Sequence, residues 1–278
     1  MPEGPEIRLA ADRIAKVLVG RPLDEVWFAF PALKSFEQRL TGAQVSAIDT
    51  RGKAMLTRFD NDLTLYSHNQ LYGRWYTARR DKPPKTSRSL RVALHTETHS
   101  ALLYSASDIE VLTPEAEREH PFLSRVGPDI LDPELTIDSV ADRLDDTRFR
   151  KRSLGSLYLD QAFLAGNGNY LRSEILFCAG EHAGSRPADL DARSRRRVAR
   201  ETLSISRRAY RTRGVTVPES MARDLKASGR TYQRYRFWVF GRDGRPCRRC
   251  DTTIERVDVG SRGYFYCPSC QPRRDPGA

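Results

Sequence analysis

Residues 247–270 read CRRCDTTIERVDVGSRGYFYCPSC, two Cys-x2-Cys pairs separated by sixteen residues. Each pair fits a tight turn that aims two thiols at one point, and four thiolates complete a closed tetrahedral zinc site. Cys247, Cys250, Cys267 and Cys270 are therefore the expected ligands of one zinc ion, structural because no coordination position stays open. Two redox pairs are the competing reading, and the matched spacing weighs against it. The run between the pairs reads as a β-hairpin with Arg262 at its turn. Such an arginine is either simply solvated or, on a metal-braced hairpin, a groove contact for DNA. The fifth thiol, Cys178 in EILFCAG, reads as a buried small apolar residue.

The rest of the chain is basic. Lys and Arg number 47 against 36 Asp and Glu, a formal charge of +11 over 278 residues, which favours a polyanionic partner. No run of about 18 apolar residues occurs, so no membrane helix is expected. The start lacks the basic and apolar segments of a signal peptide. The expectation is a cytoplasmic, monomeric protein with free or metal-bound thiols.

Upstream of the hairpin the pattern is helical. The runs TIDSVADRL, LGSLYLDQAFLAG, YLRSEILFCAG and RSRRRVARETLSISRRAYR carry apolar residues at helical spacing. Within them, DQAFLAGNGNYLRSEI reads as a helix, a glycine-containing turn and a second helix with Asn169 as its N-cap. Helix starts bind phosphate, but the local pattern by itself favours an ordinary helix–turn–helix pair. The polar stretch VPESMARDLKASGRTYQR reads as a mobile loop or linker, and QPRRDPGA as a frayed tail.

Residues 23 to about 112 read as strands, among them EVWFAF, AQVSAIDT, AMLTRF, LTLYS, RWYTA, LRVALHT and ALLYSA, separated by turn signals. They imply an antiparallel sandwich or barrel. In SHNQLYGRW, Gln70, Leu71 and Tyr72 precede Gly73. They are either core residues of a hairpin or a wedge for base stacking. Lys53 in TRGKAML is a lone lysine at a strand start. The fold class is α+β: an N-terminal helix with an antiparallel sandwich (1–125), a helical domain (126–235) and a zinc hairpin (236–278).

The chain opens MPEGPEIRLA. Removal of Met1 leaves Pro2 with a free secondary amine, and Glu3 and Glu6 lie within one turn of it. Pro5 suits the first turn of the helix that follows. The positive end of that helix lowers the amine's pKa. A free α-amine titrates at roughly 7.7–8.0, so part of it is a nucleophile at neutral pH.

Taken in order, PEGPE at 2–6, RGK at 51–53, AGNGNYLRSE at 165–174 and the cysteine pairs resemble the bacterial DNA glycosylase/lyases that include formamidopyrimidine-DNA glycosylase and endonuclease VIII. VWFAFP, NDLTLYSHNQLYG, LLYSASDIE and HPFLSRVGPD resemble the endonuclease VIII branch. The resemblance spans nearly the whole chain, and the loop after 214 matches poorly. It implies base excision repair of double-stranded DNA, with oxidised pyrimidines removed through a Schiff base and the strand cut by β,δ-elimination. By resemblance, Pro2 is the nucleophile, Glu3 the acid for sugar-ring opening, Lys53 the proton donor for β-elimination and Arg262 that for δ-elimination. Gln70, Leu71 and Tyr72 fill the void left by the flipped nucleotide, Arg125 and Asn169 contact the DNA backbone, and Glu6 and Glu174 support the active site. Asn167 stands where the family has an aliphatic residue. The alternatives are formamidopyrimidine-type specificity for oxidised purines, or a non-catalytic binder of damaged DNA.

Overall fold

The computed structural model describes residues 2–273, so Met1 and the last five residues of the tail lie outside the described residues. The chain divides into two compact units, Met1–Val126 and Gly127–Ala278.

In the first unit, helix α1 (Gly4–Leu18) buries Ile7, Ala11, Ile14 and Leu18, a spacing that keeps one face on the core. Strands β1 (Glu25–Phe28), β2 (Val45–Arg51), β3 (Ala54–Phe59), β4 (Thr64–His68), β5 (Arg74–Arg79), β6 (Leu90–His95), β7 (His99–Tyr104) and β8 (Asp108–Leu112) follow, with α2 (Lys34–Leu40) after β1 and α3 (Pro114–Glu119) after β8. They form two antiparallel sheets, in the orders β1-β6-β7-β5 and β2-β3-β4-β8. One core joins both sheets and α1, through Ile14, Phe28, Ile48, Leu65, Trp75, Val92 and Leu103. This is the expected sandwich. It needs both sheets, because a single four-stranded sheet would leave one apolar face in water.

The second unit holds α4 (Ile137–Asp145), α5 (Leu154–Leu157), α6 (Asn169–Ala179), α7 (Ala192–Arg211), α8 (Glu219–Ala227) and α9 (Tyr232–Tyr235), then β9 (Glu255–Val259) paired with β10 (Arg262–Tyr266). The sequence reading gives 236–278 a domain of its own. In the structure the hairpin shares the helical core, since Tyr264 is buried among Leu154, Leu171, Ile175 and Ala183.

Two expectations are corrected. The polar stretch after Val217 is not a mobile loop: it contains α8 and α9. Met221 and Ala222 pack on the cluster of Val217 and Trp238, and left-handed Gly229 (φ 78°), its amide donating to the Lys226 carbonyl at 3.0 Å, closes the end of α8. Its narrow apolar stripe is outnumbered by charged residues and reads as polar throughout. Gln271, assigned to a frayed tail, is fully buried. It donates to the Glu181 carbonyl at 2.9 Å and the Tyr264 hydroxyl at 2.6 Å, and accepts from the Cys267 amide at 3.1 Å.

Glu174 on α6 is the central polar contact of this unit. Its carboxylate is wholly buried and accepts from the amides of Trp238 (2.8 Å), Val239 (2.9 Å) and Phe240 (2.9 Å) and from the Thr216 hydroxyl. Glu174→Ala strands three backbone donors, each worth about 1–3 kcal/mol when buried without a partner. Urea unfolding should show a loss of at least about 3 kcal/mol; a loss near zero would refute the anchoring role.

Candidate active site and metal centre

The first unit carries a cleft of about 460 Å³ whose wall includes Pro2, Glu6, Asn69, Leu71, Tyr72 and Trp75. Pro2 and the loop bearing the expected wedge therefore meet in one cavity. Pro2 sits just before α1, where the Glu6 carboxylate accepts the Glu3 amide at 3.0 Å and fixes the first turn. Glu3 is buried, and so is Lys53, which follows the left-handed Gly52 (φ 64°) in the turn from β2 to β3. A charged side chain is rarely buried without a role or a partner.

The loop 69–73 is built rather than slack. The Gly73 amide donates to the Asn69 carbonyl at 2.7 Å, and a Cβ on Gly73 would lie 2.6 Å from that same oxygen, so only glycine closes the turn. Gln70 adopts a left-handed conformation (φ 48°), its amide donating to His68 Nδ1 at 3.1 Å and its side-chain oxygen accepting from Ser107 at 3.0 Å. Arg88 clasps the Tyr72 carbonyl at 2.6 Å. Leu71 and Tyr72 are left 59% and 70% exposed, so the core reading of these residues is excluded. His68, Ser107 and Arg88 are supports that sequence reasoning missed. Only the proximity of His68 to Gln70 hinted at one of them.

Burial holds the His68 imidazole below its ordinary pKa, Asp108 opposing the shift and the Lys53 ammonium adding to it. Neutral Nδ1 can accept the Gln70 amide; the protonated ring cannot. Arg125 lies at the end of this unit with its Nε on the Pro121 carbonyl at 2.7 Å, leaving the rest of the guanidinium exposed.

In the second unit, Gly168 and not Asn169 is the N-cap of α6. Asn169 is the first helical residue, and its side chain turns to the hairpin instead: Nδ2 donates to the Gly263 carbonyl at 2.9 Å and Oδ1 accepts from Arg172 at 2.7 Å. Arg172, also missed from sequence, is wholly buried. It donates to the Gly155 carbonyl (3.1 Å) and the Arg262 carbonyl (3.4 Å), with the Tyr264 ring 5.4 Å away. Asn169 and Arg262 are thus brought together through one guanidinium. Arg262 opens β10 opposite Val259, directly after the two-residue turn of Gly260 and Ser261. The turn before α6 is closed by Gln161, which donates to the Asn167 carbonyl and accepts the Gly166 amide. Asn167 is fully buried, and neither side-chain amide atom has a hydrogen-bond partner among the described residues. Glu174, expected beside the active site, is committed to the amides of residues 238–240.

The four paired cysteines converge, their sulfurs all within 4.8 Å of one another. Cys250 lies 3.5 Å from Cys267 and from Cys270, and Cys247 lies 3.9 Å from Cys270. Tetrahedral zinc with bonds near 2.3 Å requires sulfurs about 3.8 Å apart, so the cage fits. Thr252 pulls the Cys250 thiol down to about 6, whereas burial raises Cys267 and Cys270. A divalent cation overrides that burial penalty and holds all four as thiolates.

Two family models match: the formamidopyrimidine-DNA glycosylase N-terminal domain over residues 1–107, and the zinc finger found in FPG and IleRS over residues 244–273. The chain is 53% identical to Endonuclease 8 of Escherichia coli O6:K15:H31 (strain 536 / UPEC), covering 98% of this chain and 100% of that protein. Endonuclease 8 of Escherichia coli O1:K1 / APEC is 52% identical over the same span. Among solved structures, Lactococcus lactis Fpg with abasic-site DNA aligns at a TM-score of 0.79 and 21% identity, over 98% of this chain and 100% of that one. The same protein with Fapy-dG DNA aligns at 0.79 and 21%, over 97% and 99%.

Zinc analysis should find one ion per chain. Cys250→Ser should weaken DNA binding while the sandwich stays folded, and folded, active, zinc-free protein would contradict this. For the wedge, the Gln70 amide resonance should titrate with the His68 ring. The folded pKa is depressed, so the bond persists at neutral pH and is lost as pH falls through that lowered value. A midpoint above the ordinary histidine range would refute the coupling.

Proposed function

This chain belongs to the formamidopyrimidine-DNA glycosylase/endonuclease VIII family, and from that membership we propose that the amine of Pro2 is the nucleophile of its reaction. The protein is a DNA glycosylase and AP lyase of base excision repair. Specificity for oxidised pyrimidines fits its 53% identity to Endonuclease 8, against 21% to the Fpg structures. The observation that carries the Pro2 assignment is its position on the wall of the cleft that the exposed Leu71 and Tyr72 overhang.

The reaction follows from the amine. A target nucleotide must leave the duplex stack to bring its C1′ to Pro2. The Pro2 nitrogen forms a bond to C1′ as the base departs with the glycosidic electron pair, and Glu3 protonates the ring oxygen as the sugar opens. Loss of the nitrogen proton frees the electron pair that drives this opening, and the product is an iminium, an electron sink that acidifies C2′–H. Abstraction of that proton expels the 3′ phosphate, and a second elimination expels the 5′ phosphate. Lys53 donates a proton in the first elimination and Arg262 in the second. Arg125 and Asn169 hold backbone phosphates, which fixes register without reading sequence. Leu71 and Tyr72 replace the lost stacking and Gln70 pairs with the orphaned base. The four-cysteine zinc takes no part in the chemistry; it holds the hairpin that carries Arg262. The protein acts as a monomer in this reading.

Borohydride should reduce the iminium and leave the protein bound to lesion-bearing DNA, with mass spectrometry locating the link at residue 2 and Met1 absent. Protein that retains Met1 has an amide at Pro2 and should bind DNA without crosslinking or cleaving it. Normal excision by protein verified to retain Met1 would eliminate Pro2 as the nucleophile.

A further inference from the structure

The cleft that exposes Pro2 is also lined by Arg13, Arg74 and Arg88, which the chemistry above does not use. All three are exposed, and each is held at one point. Arg13 Nε donates to the Leu9 carbonyl at 3.1 Å, the Arg74 guanidinium lies 5.0 Å over the Tyr76 ring, and Arg88 donates to the Tyr72 carbonyl at 2.6 Å. Two other arginines of this unit are neutralised, Arg58 by Asp49 and Glu117 and Arg80 by Asp24 and Glu25. Arg13, Arg74 and Arg88 make no ion pair among the described residues. Glu6 is the acid on this wall, and its carboxylate already accepts the Glu3 amide.

We propose that these three guanidiniums form a binding site for phosphodiesters of the strand opposite the lesion. The proposal rests on the reading of Pro2 as nucleophile and of residues 70–72 as the wedge. Three guanidiniums on the wall of one cleft, against the Glu6 carboxylate there, leave that wall net positive, and guanidinium binds phosphate through paired N–H donors. The wedge decides which strand. A side chain that takes the place of the flipped nucleotide stands beside the orphaned base, so the residues behind its tip face that base's own strand. Arg74 follows the wedge directly, and Arg88 is bonded to the carbonyl of Tyr72. Arg13 lies two helical turns beyond Glu6, about 10 Å along α1.

The test uses the full chain with Arg13→Gln and Arg74→Gln combined, two exposed positions that make no core contact. Binding to a stable abasic analogue is measured against salt, in duplex and in single-stranded DNA. Each lost phosphate contact lowers the log–log slope by about 0.9, so the duplex slope should fall by close to 2 while the single-strand slope changes far less. Neutral methylphosphonates placed singly along the opposite strand should weaken the parent protein at one or two positions and leave the double variant indifferent there. An equal fall on both substrates would assign the site to the lesion strand and overturn the proposal, as would an unchanged duplex slope. Borohydride trapping on the single-stranded substrate separates the two readings. If trapping at Pro2 persists while the slopes do not move, the arginine site alone fails; if trapping is lost in the parent protein, the nucleophile assignment fails.

Discussion

The buried carboxylate of Glu174 is the constraint on which the second unit depends. Burying an anion is costly, and it is tolerated here because three backbone amides and a hydroxyl converge on it. Those amides belong to residues 238–240, immediately before the first cysteine pair. One eleven-residue helix therefore holds three things. Its start holds the hairpin through Asn169 and Arg172, its middle holds segment 238–240 through Glu174, and the Phe177 carbonyl near its end accepts from Arg249 between the first two cysteines. Arg249 also lies over the rings of Phe177 and Trp238. The metal cage closes the hairpin, and α6 aims it.

The first unit solves a different problem, that of presenting a large apolar tip to solvent without letting it collapse inward. Leu71 and Tyr72 would gain by burial, at about 25 cal/mol per Å² of apolar surface. Backbone contacts on either side of them prevent it: the glycine-only closure at Gly73, the left-handed Gln70, and the bonds from His68 and Arg88. Fixing the loop beforehand removes an ordering cost that would otherwise fall on DNA binding.

Much of this was legible in the sequence because it has a period or a spacing. Short β-branched and aromatic runs between turn signals marked the sandwich strands, helical spacing marked α1, α4, α6 and α7, and two matched pairs marked the zinc ligands. What stayed hidden depends on contacts between residues far apart in the chain. Nothing local distinguishes Arg88 from a solvated loop arginine, or Arg172 from any helical arginine, until the Tyr72 carbonyl and the hairpin are brought against them. Gln271 misled for the same reason, since its surroundings in the chain are those of a tail while its partners are Glu181 and Tyr264. Helix α8 is hidden because its polar composition reads as a loop or linker, whereas a stripe as narrow as Met221 and Ala222 suffices at a surface. The role of Asn169 shifted from helix cap to hairpin tether because Gly168 already starts the helix.

The rigid frame around Leu71 and Tyr72 also bears on evolvability. Because these two side chains are mostly exposed, replacing them removes little core packing, and most surface substitutions of that kind change stability by under about 0.5 kcal/mol. Gly73 has no such freedom. Selection can therefore explore the chemistry of the tip while the loop that carries it stays fixed. In the wedge role proposed for Leu71 and Tyr72, a lineage facing a different spectrum of damage can alter what it inserts into the stack without first having to acquire compensating mutations elsewhere in the fold.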